Sequence, residues 1–264
     1  MYKRQQQEFT IDRSTASIPF ALTMVGFAIG NGVMGRIVDN YGITKTIILA
    51  ALINTVGYIS AMQVNNVYLL SILQFFIGFG TAASFGPLIA DTSHWFLKRR
   101  GIAVALIASG NYFSGAIWPP IFNSALQSDG WRDVYGILAI ATIFIMIPLS
   151  FLLTKKISKE TSRASDAASE NRRSSVNISP RMLTILLSIA GVGCCVAMSM
   201  PQVHIVAFCI DLGYGPAVGA EMLSLMLIGG IVSRLINGLL ADKLGGVYTL
   251  LIGSALQCIA LFLY

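Results

Sequence analysis

The sequence predicts an all-α fold, a polytopic bundle of about eight transmembrane helices, and three observations carry that prediction. Hydrophobic residues make up 55% of the chain and charged residues 11%, where a soluble domain carries about 25% charged residues. The apolar residues gather into eight long runs. One pattern also occurs twice: Gly35-Arg36-Ile37-Val38-Asp39-Asn40-Tyr41-Gly42 returns 203 residues later as Gly238-Leu239-Leu240-Ala241-Asp242-Lys243-Leu244-Gly245. Each copy closes one apolar run and leads at once into the next.

In order, the runs are roughly 18–38, 46–64, 67–91, 101–126, 134–154, 182–210, 218–240 and 247–264. Most match or exceed the ~20 residues that a helix needs to cross a ~30 Å hydrocarbon core. Helix is required because lipid offers backbone polar groups no water, and the alternation of a barrel strand is missing. Glycine is frequent, with 25 residues, as in Gly26-Phe27-Ala28-Ile29-Gly30, which suits close helix–helix approach. The fourth run carries Asn111, Tyr112, Trp118 and the pair Pro119-Pro120. In the sixth, Met200-Pro201-Gln202 precedes His204; the proline removes a backbone bond and predicts a kink. The seventh holds Arg234 before its closing turn, and the eighth stops in an apolar run, Leu256 to Tyr264, without a polar exit.

Lys155 to Arg181 is the one long polar stretch, with Lys155, Lys156, Lys159, Arg163, Arg172, Arg173 and Arg181 among serines. It reads as a flexible linker between five runs in front and three behind. If that linker is cytoplasmic, thirteen of the eighteen basic residues fall on the same side, including Arg36, Lys45, Lys98, Arg99, Arg100 and Lys243. Lys3, Arg4, Arg13 and Arg132 fall outside, and Arg234 lies within a run. The bias is the one that orients multi-pass proteins, here expected in a plasma or bacterial inner membrane. The net charge of +6 forms no continuous basic face, so a nucleic-acid partner is not expected. The polar first 17 residues are not a secretory signal.

In the repeated pattern a glycine, an aspartate four residues on and a glycine three further make a tight helix–turn–helix. Its carboxylate, Asp39 or Asp242, lies at the membrane surface. There it can accept hydrogen bonds from the exposed N–H groups of a nearby helix start, where the dipole favours negative charge. Two copies at corresponding places in two apolar halves point to a duplicated transporter. The turn and its spacing of six runs resemble the major facilitator superfamily, in which this turn joins the second and third helices of each half. The resemblance implies a twelve-helix, six-plus-six fold and aligns the eight runs with family helices two to nine. Residues 1–154 would be the N-terminal half without its first helix, 155–181 the linker, and 182–264 the C-terminal half without its last three. An incomplete transporter or sequence fragment is the expectation; a genuine eight-helix protein is the alternative.

The chain is also similar to the monocarboxylate-porter and oxalate/formate-antiporter branch. Glu8-Phe9-Thr10-Ile11-Asp12-Arg13-Ser14 resembles its link before the second helix. Phe85-Gly86-Pro87, His94-Trp95-Phe96, Lys98-Arg99-Arg100-Gly101, Ser109-Gly110, Trp118-Pro119-Pro120 and Gly130-Trp131-Arg132 resemble its middle region. Asp211-Leu212-Gly213, Ser233-Arg234 and the second turn resemble its seventh and eighth helices. Three departures stand out. The basic residues that usually follow the first turn are reduced to Lys45. Gln74 takes the place of an arginine found in many drug and sugar porters. Gly230 stands where some monocarboxylate porters carry an aspartate.

Arg234 is the sharpest candidate for substrate contact. It lies eight residues before Asp242, hence ~12 Å along a helix from the turn. A cation at that depth costs ~3 kcal/mol on insertion scales and pairs with an anion or faces water. A planar guanidinium suits bidentate capture of a carboxylate, and the resemblance implies that an arginine here binds the anionic substrate. The plainer reading is a side chain snorkelling to the headgroups. His204 is a candidate outer-gate or proton-carrying residue, against a role in packing. Asn111, Tyr112 and Trp118 lie on the helix that lines the cavity in the resembled family and could orient a small anion; helix–helix hydrogen bonding is the competing reading. Asn31, Asn54, Gln74 and Asn237 are expected to be structural. Gly35, Asp39, Gly42, Lys45, Gly238, Asp242 and Gly245 form the expected gating motif.

The expected function is secondary active transport of a small organic anion, a mono- or dicarboxylate, by alternating access. The expected partners are that anion, protons or a counter-anion for symport or exchange, and the bilayer. No phosphate-binding glycine loop supports ATP-driven transport, and two histidines with few acids leave no hydrolytic constellation, so an enzyme is not expected. Cys194, Cys195, Cys209 and Cys258 lie in apolar runs without metal-ligand spacing, and no cofactor or metal is expected. A porter of neutral or drug-like solutes on the same fold is one alternative, and a non-transporting truncated membrane protein is another.

Overall fold

The computed structural model describes residues 5, 8–12, 14–96, 99–128, 130–154 and 178–263. The linker from Lys155 to residue 177 and the basic residues Lys3, Arg4, Arg13 and Lys98 lie outside the described residues. Among those described, eight helical stretches are long and apolar enough to cross a membrane, as the eight runs predict.

A 3₁₀ turn at Thr15–Ser17 leads into α1 (Ile18–Tyr41), which has a proline in its first positions, where a missing N–H costs nothing. After Gly42 comes α2 (Ile43–Met62). In α3 (Val67–Thr81) the Asn66 side chain caps the start by accepting from the Tyr68 N–H at 2.8 Å. The third run is not one α-helix. It passes through a 3₁₀ turn at Ala82–Ser84 before α4 (Gly86–Trp95), because Pro87 cannot donate to the Ala83 carbonyl and the ladder breaks ahead of it. α5 spans Arg100–Ser128. The fifth run divides similarly into α6 (Trp131–Ala141), a π-helical stretch at Thr142–Met146 and α7 (Ile147–Leu152). Here Pro148 withholds the N–H that Phe144 would otherwise receive. The last three helices are α8 (Pro180–Asp211), α9 (Gly215–Leu244) and α10 (Gly246–Leu263). α8 runs as one helix through Pro201.

Cα packing divides the chain into two compact units, one of Met1–Thr92 with Trp118–Ile157, the other of Ser93–Ile117 with Ser158–Tyr264. The first part of α5 packs with α8 and α9, although it precedes the linker.

In the first unit, α1 and α3 cross backbone to backbone. A Cβ at Gly26 would lie 2.0 Å from the Phe75 carbonyl oxygen, and one at Gly78 would lie 2.0 Å from that of Thr23. Only glycines permit this approach. Beside the crossing, Gln74 accepts from the Thr23 hydroxyl at 3.0 Å and donates to the Tyr135 oxygen, a structural role in keeping with the sequence reading. Met34, Ala50 and Ala83 form one buried cluster; Ala61, Val64, Leu70, Trp131 and Tyr135 form another.

The segment before α1 is fastened to the start of α6. The Glu8 carboxylate accepts from the Trp131 indole N–H and from Arg132. Arg132 also donates to the Val64 carbonyl at 3.0 Å and to Asn65 at 2.9 Å, and its guanidinium lies 4.4 Å from the Trp131 ring centroid. Three connections thus meet in one clasp. The Trp131 hydrogen bond, with help from Arg132, holds the Glu8 carboxyl below its ordinary value while burial opposes the shift.

Two outcomes follow. Gly78→Val should force α1 and α3 apart and lower the Tm of the purified protein in detergent, at or beyond the ~1–3 kcal/mol typical of overpacking. Gly32→Ala, where a Cβ meets nothing within 4 Å, should leave Tm unchanged or raised. For Glu8, a depressed carboxyl contributes stability above the ordinary glutamate range, about pH 4, and loses it as pH falls through the lowered value. The Tm difference between wild type and Glu8→Gln should accordingly vanish on acidification; a constant difference from neutral to acid pH would exclude the clasp.

Candidate functional site

The two turns have the same backbone geometry. Gly42 has φ 87° and ψ 160°, and Gly245 has φ 86° and ψ 162°, a region that only glycine occupies without strain. Each turn glycine donates its N–H to the residue four before it, Gly42 to Val38 at 2.8 Å and Gly245 to Ala241 at 3.1 Å. The match extends beyond the sequence pattern. The hydroxyls of Thr46 and Thr249 each donate to the turn glycine's carbonyl at 2.9 Å. Sequence reading missed this threonine pair, although the 203-residue spacing continues through it.

The surroundings of the two turns differ. At the second, Asp242 caps the start of α5: Oδ1 accepts from the Gly101 N–H at 2.6 Å and Oδ2 from the Ile102 N–H at 3.0 Å. Glycine on both sides makes the approach possible, since a Cβ at Gly101 would lie 2.4 Å from the Gly238 carbonyl oxygen, and one at Gly238 2.6 Å from the Ala105 Cβ. The carboxylate takes two N–H groups that a helix start leaves unpaired, at the positive end of the dipole. At the first turn, Asp39 and Lys45 are exposed. A Cβ at Gly35 meets nothing within 4 Å, and no helix N–H reaches Asp39 among the described residues.

Farther along the α5–α9 contact, Arg234 and Tyr112 come together. Arg234 is half-buried and turned toward α5, not extended along α9. Its Nη1 donates to the Ala108 carbonyl at 2.8 Å, and its guanidinium carbon stands 4.3 Å from the Tyr112 ring centroid. Tyr112 is 8% exposed. It donates its hydroxyl to the Met198 sulfur on α8 at 3.0 Å and lays its ring against Gly230, where a Cβ would lie 3.3 Å from Cε1 and Cζ. Among the described residues Arg234 makes no ion pair. A guanidinium carries five N–H donors in a planar fork, so one bond to Ala108 leaves donors for a carboxylate.

Asn111 and His204 are exposed, and Trp118 is half-buried in the part of α5 that belongs to the first unit. Asn31 donates to the Phe27 carbonyl, Asn237 to Ser233 and Asn54 to the Thr81 hydroxyl, all bonds within or between helices. Among the described residues, no group of three or more His, Cys, Asp or Glu side chains could hold a metal ion. Sequence reading missed Ala108 and Gly101, partners that a chain pattern does not announce because they act through the backbone.

The family model of the Major Facilitator Superfamily matches residues 4–264. The chain is similar to the MFS-type transporter pytF of Aspergillus terreus, 25% identical over 88% of this chain and 78% of that protein. It is similar to monocarboxylate transporter 13 of Bos taurus, 24% identical over 94% of this chain and 57% of that protein. It is also similar to the Agnestins efflux protein AgnL12 of Paecilomyces divaricatus, 27% identical over 91% of this chain and 54% of that protein. The chain spans about half the length of most of these curated relatives.

Asp242→Ala should free the first amides of α5. Hydrogen exchange over residues 99–105 should rise about tenfold, as expected for loss of a cap worth ~1–2 kcal/mol, and Asp39→Ala should leave that segment unchanged. Equal exchange in wild type and Asp242→Ala would show that the carboxylate does not hold the helix start.

Proposed function

This chain belongs to the Major Facilitator Superfamily, and we propose that it works as a secondary transporter of a small organic anion, a mono- or dicarboxylate, by alternating access. The observation that carries the proposal is Arg234: a guanidinium within a membrane-spanning helix, held against α5 and without an ion pair among the described residues. A cation kept at that depth pairs with an anion, a backbone carbonyl or water; one bond to the Ala108 carbonyl leaves the fork able to bind a carboxylate through two parallel hydrogen bonds. The monocarboxylate transporters 13 and 11 among the relatives favour the same substrate class.

In this reading the linker is cytoplasmic, and Asp242 on the α5 start is a cytoplasmic latch that must open in one step of the cycle. Asp39, on the identical first turn, would play the matching part. A proton or a counter-anion would supply the driving force. His204, Asn111 and Trp118 stay as substrate-path candidates, ranked below Arg234. One observation favours a second reading, a porter of neutral or drug-like solutes working in export: the similarity to a protein named for efflux, the Agnestins efflux protein.

Uptake of labelled acetate, lactate, pyruvate, oxalate and succinate into cells or proteoliposomes, with and without a pH gradient, distinguishes the two. Arg234→Ala should abolish uptake of whichever carboxylate is carried while leaving membrane insertion intact, and Arg234→Lys should retain a small fraction. Carboxylate uptake unchanged in Arg234→Ala would remove the arginine from the mechanism.

A further inference from the structure

We infer that Tyr112 is a positioning residue for Arg234, and that the missing side chain at Gly230 is what admits it. The inference rests on the anion reading for its transport consequences, but its geometry stands independently.

Tyr112 belongs to α5, and its partners Met198, Gly230 and Arg234 lie on α8 and α9. Its hydroxyl is committed to the Met198 sulfur at 3.0 Å. Its ring covers one helical turn of α9, with Gly230 beneath one edge and the Arg234 guanidinium over its face at 4.3 Å. Residues 230 and 234 are four apart and so lie one above the other on the same helix face. The ring therefore occupies volume that a side chain at 230 longer than a methyl group would take. Ala108, four residues before Tyr112 on the same face of α5, receives Arg234 Nη1 at 2.8 Å.

Two constraints thus act on one guanidinium. The ring fixes its plane by cation–π attraction, which is strongest away from water. The carbonyl fixes its rotation within that plane by taking one N–H. A free arginine side chain carries large rotamer entropy, and immobilising it beforehand removes a cost that anion binding would otherwise meet. The phenol, though a plausible anion donor by residue type, is committed to sulfur; the working part of Tyr112 is its ring.

The role makes distinct demands on substitutions. Tyr112→Phe keeps the ring and loses only the bond to Met198. Tyr112→Leu keeps an apolar side chain but loses the face beneath the cation. A Cβ at Gly230 would lie 3.3 Å from the ring, so a methyl group asks the ring to give by only a few tenths of an ångström, whereas the further carbons of Gly230→Leu compete for the ring's place over the guanidinium. The first readout needs no transport. Wild type and variants, full chain in detergent, are treated with phenylglyoxal, and adduct formation at Arg234 is followed by peptide mass spectrometry. Tyr112→Leu and Gly230→Leu should expose Arg234 and speed its modification about 3- to 30-fold, the range that follows from cation–π strength; Tyr112→Phe should react as wild type does. In uptake assays normalised to folded protein, KM for acetate, lactate or oxalate should rise by a similar factor in Tyr112→Leu with kcat little changed, and Tyr112→Phe should restore it.

A modification rate in Tyr112→Leu equal to wild type, or Tyr112→Phe reacting as Tyr112→Leu does, would overturn the positioning role. If Arg234→Ala transports normally while the phenylglyoxal pattern holds, the anion reading fails and the positioning role stands. If Arg234→Ala is inactive but Tyr112→Leu has wild-type KM and reactivity, the anion reading stands and the positioning role fails.

Discussion

Lipid gives a backbone N–H or C=O no partner, so each of these groups must find one inside the protein. Most are satisfied within α-helices, and the chemistry of this chain gathers where that ladder starts, ends or falters. The start of α5 leaves amides unpaired, and Asp242 takes two of them. The ends of α1 and α9 are closed by glycines in a conformation that other residues adopt only with strain. Pro87 and Pro148 withhold donors, and the helix answers with a 3₁₀ turn before one and a π-helical stretch before the other. Arg234 exploits the same constraint differently, adding a bond to a carbonyl that α5 supplies.

Small residues make these arrangements possible. Gly26 and Gly78 bring α1 and α3 into backbone contact, and Gly101 and Gly238 do the same for α5 and α9. Between lipid-facing helices there is little hydrophobic driving force, so close packing and hydrogen bonds carry the association. The second contact has a further use. Once the backbones are that close, a short carboxylate reaches the helix start directly, and one helical face can hold both ends of an arginine's geometry. The candidate site is a product of that proximity, not of a cluster of polar residues.

The fold was largely legible in the sequence because its strongest signal is length of apolar run, and lipid permits few alternatives to helix. All eight runs reappear as helical spans, with ends moved by a few residues. What stayed hidden depends on which helix lies next to which. The repeated turn announced Asp242, but not that Gly101 and Ile102 would receive it, more than a hundred residues away in the chain. Gln74 was read as structural, yet its partner Tyr135 lies 61 positions on. Tyr112 is among the residues that the sequence offers for orienting a small anion, but the sequence does not show that its ring meets Arg234. The breaks at 82–84 and 142–146 each follow from a proline that was visible all along, but a hydropathy run does not reveal how a helix accommodates one.

The twin turns have a consequence for the length of the chain. Each leaves a single residue between consecutive helices, and each fixes that residue at nearly the same pair of dihedral angles. Consecutive helical residues are separated by about 100° around the axis. Adding or deleting one helical residue at either elbow would therefore turn the entire following helix by about that angle and move part of its protein-facing side toward lipid. These elbows act as register pins, and drift by insertion should be confined to the longer connections elsewhere in the protein.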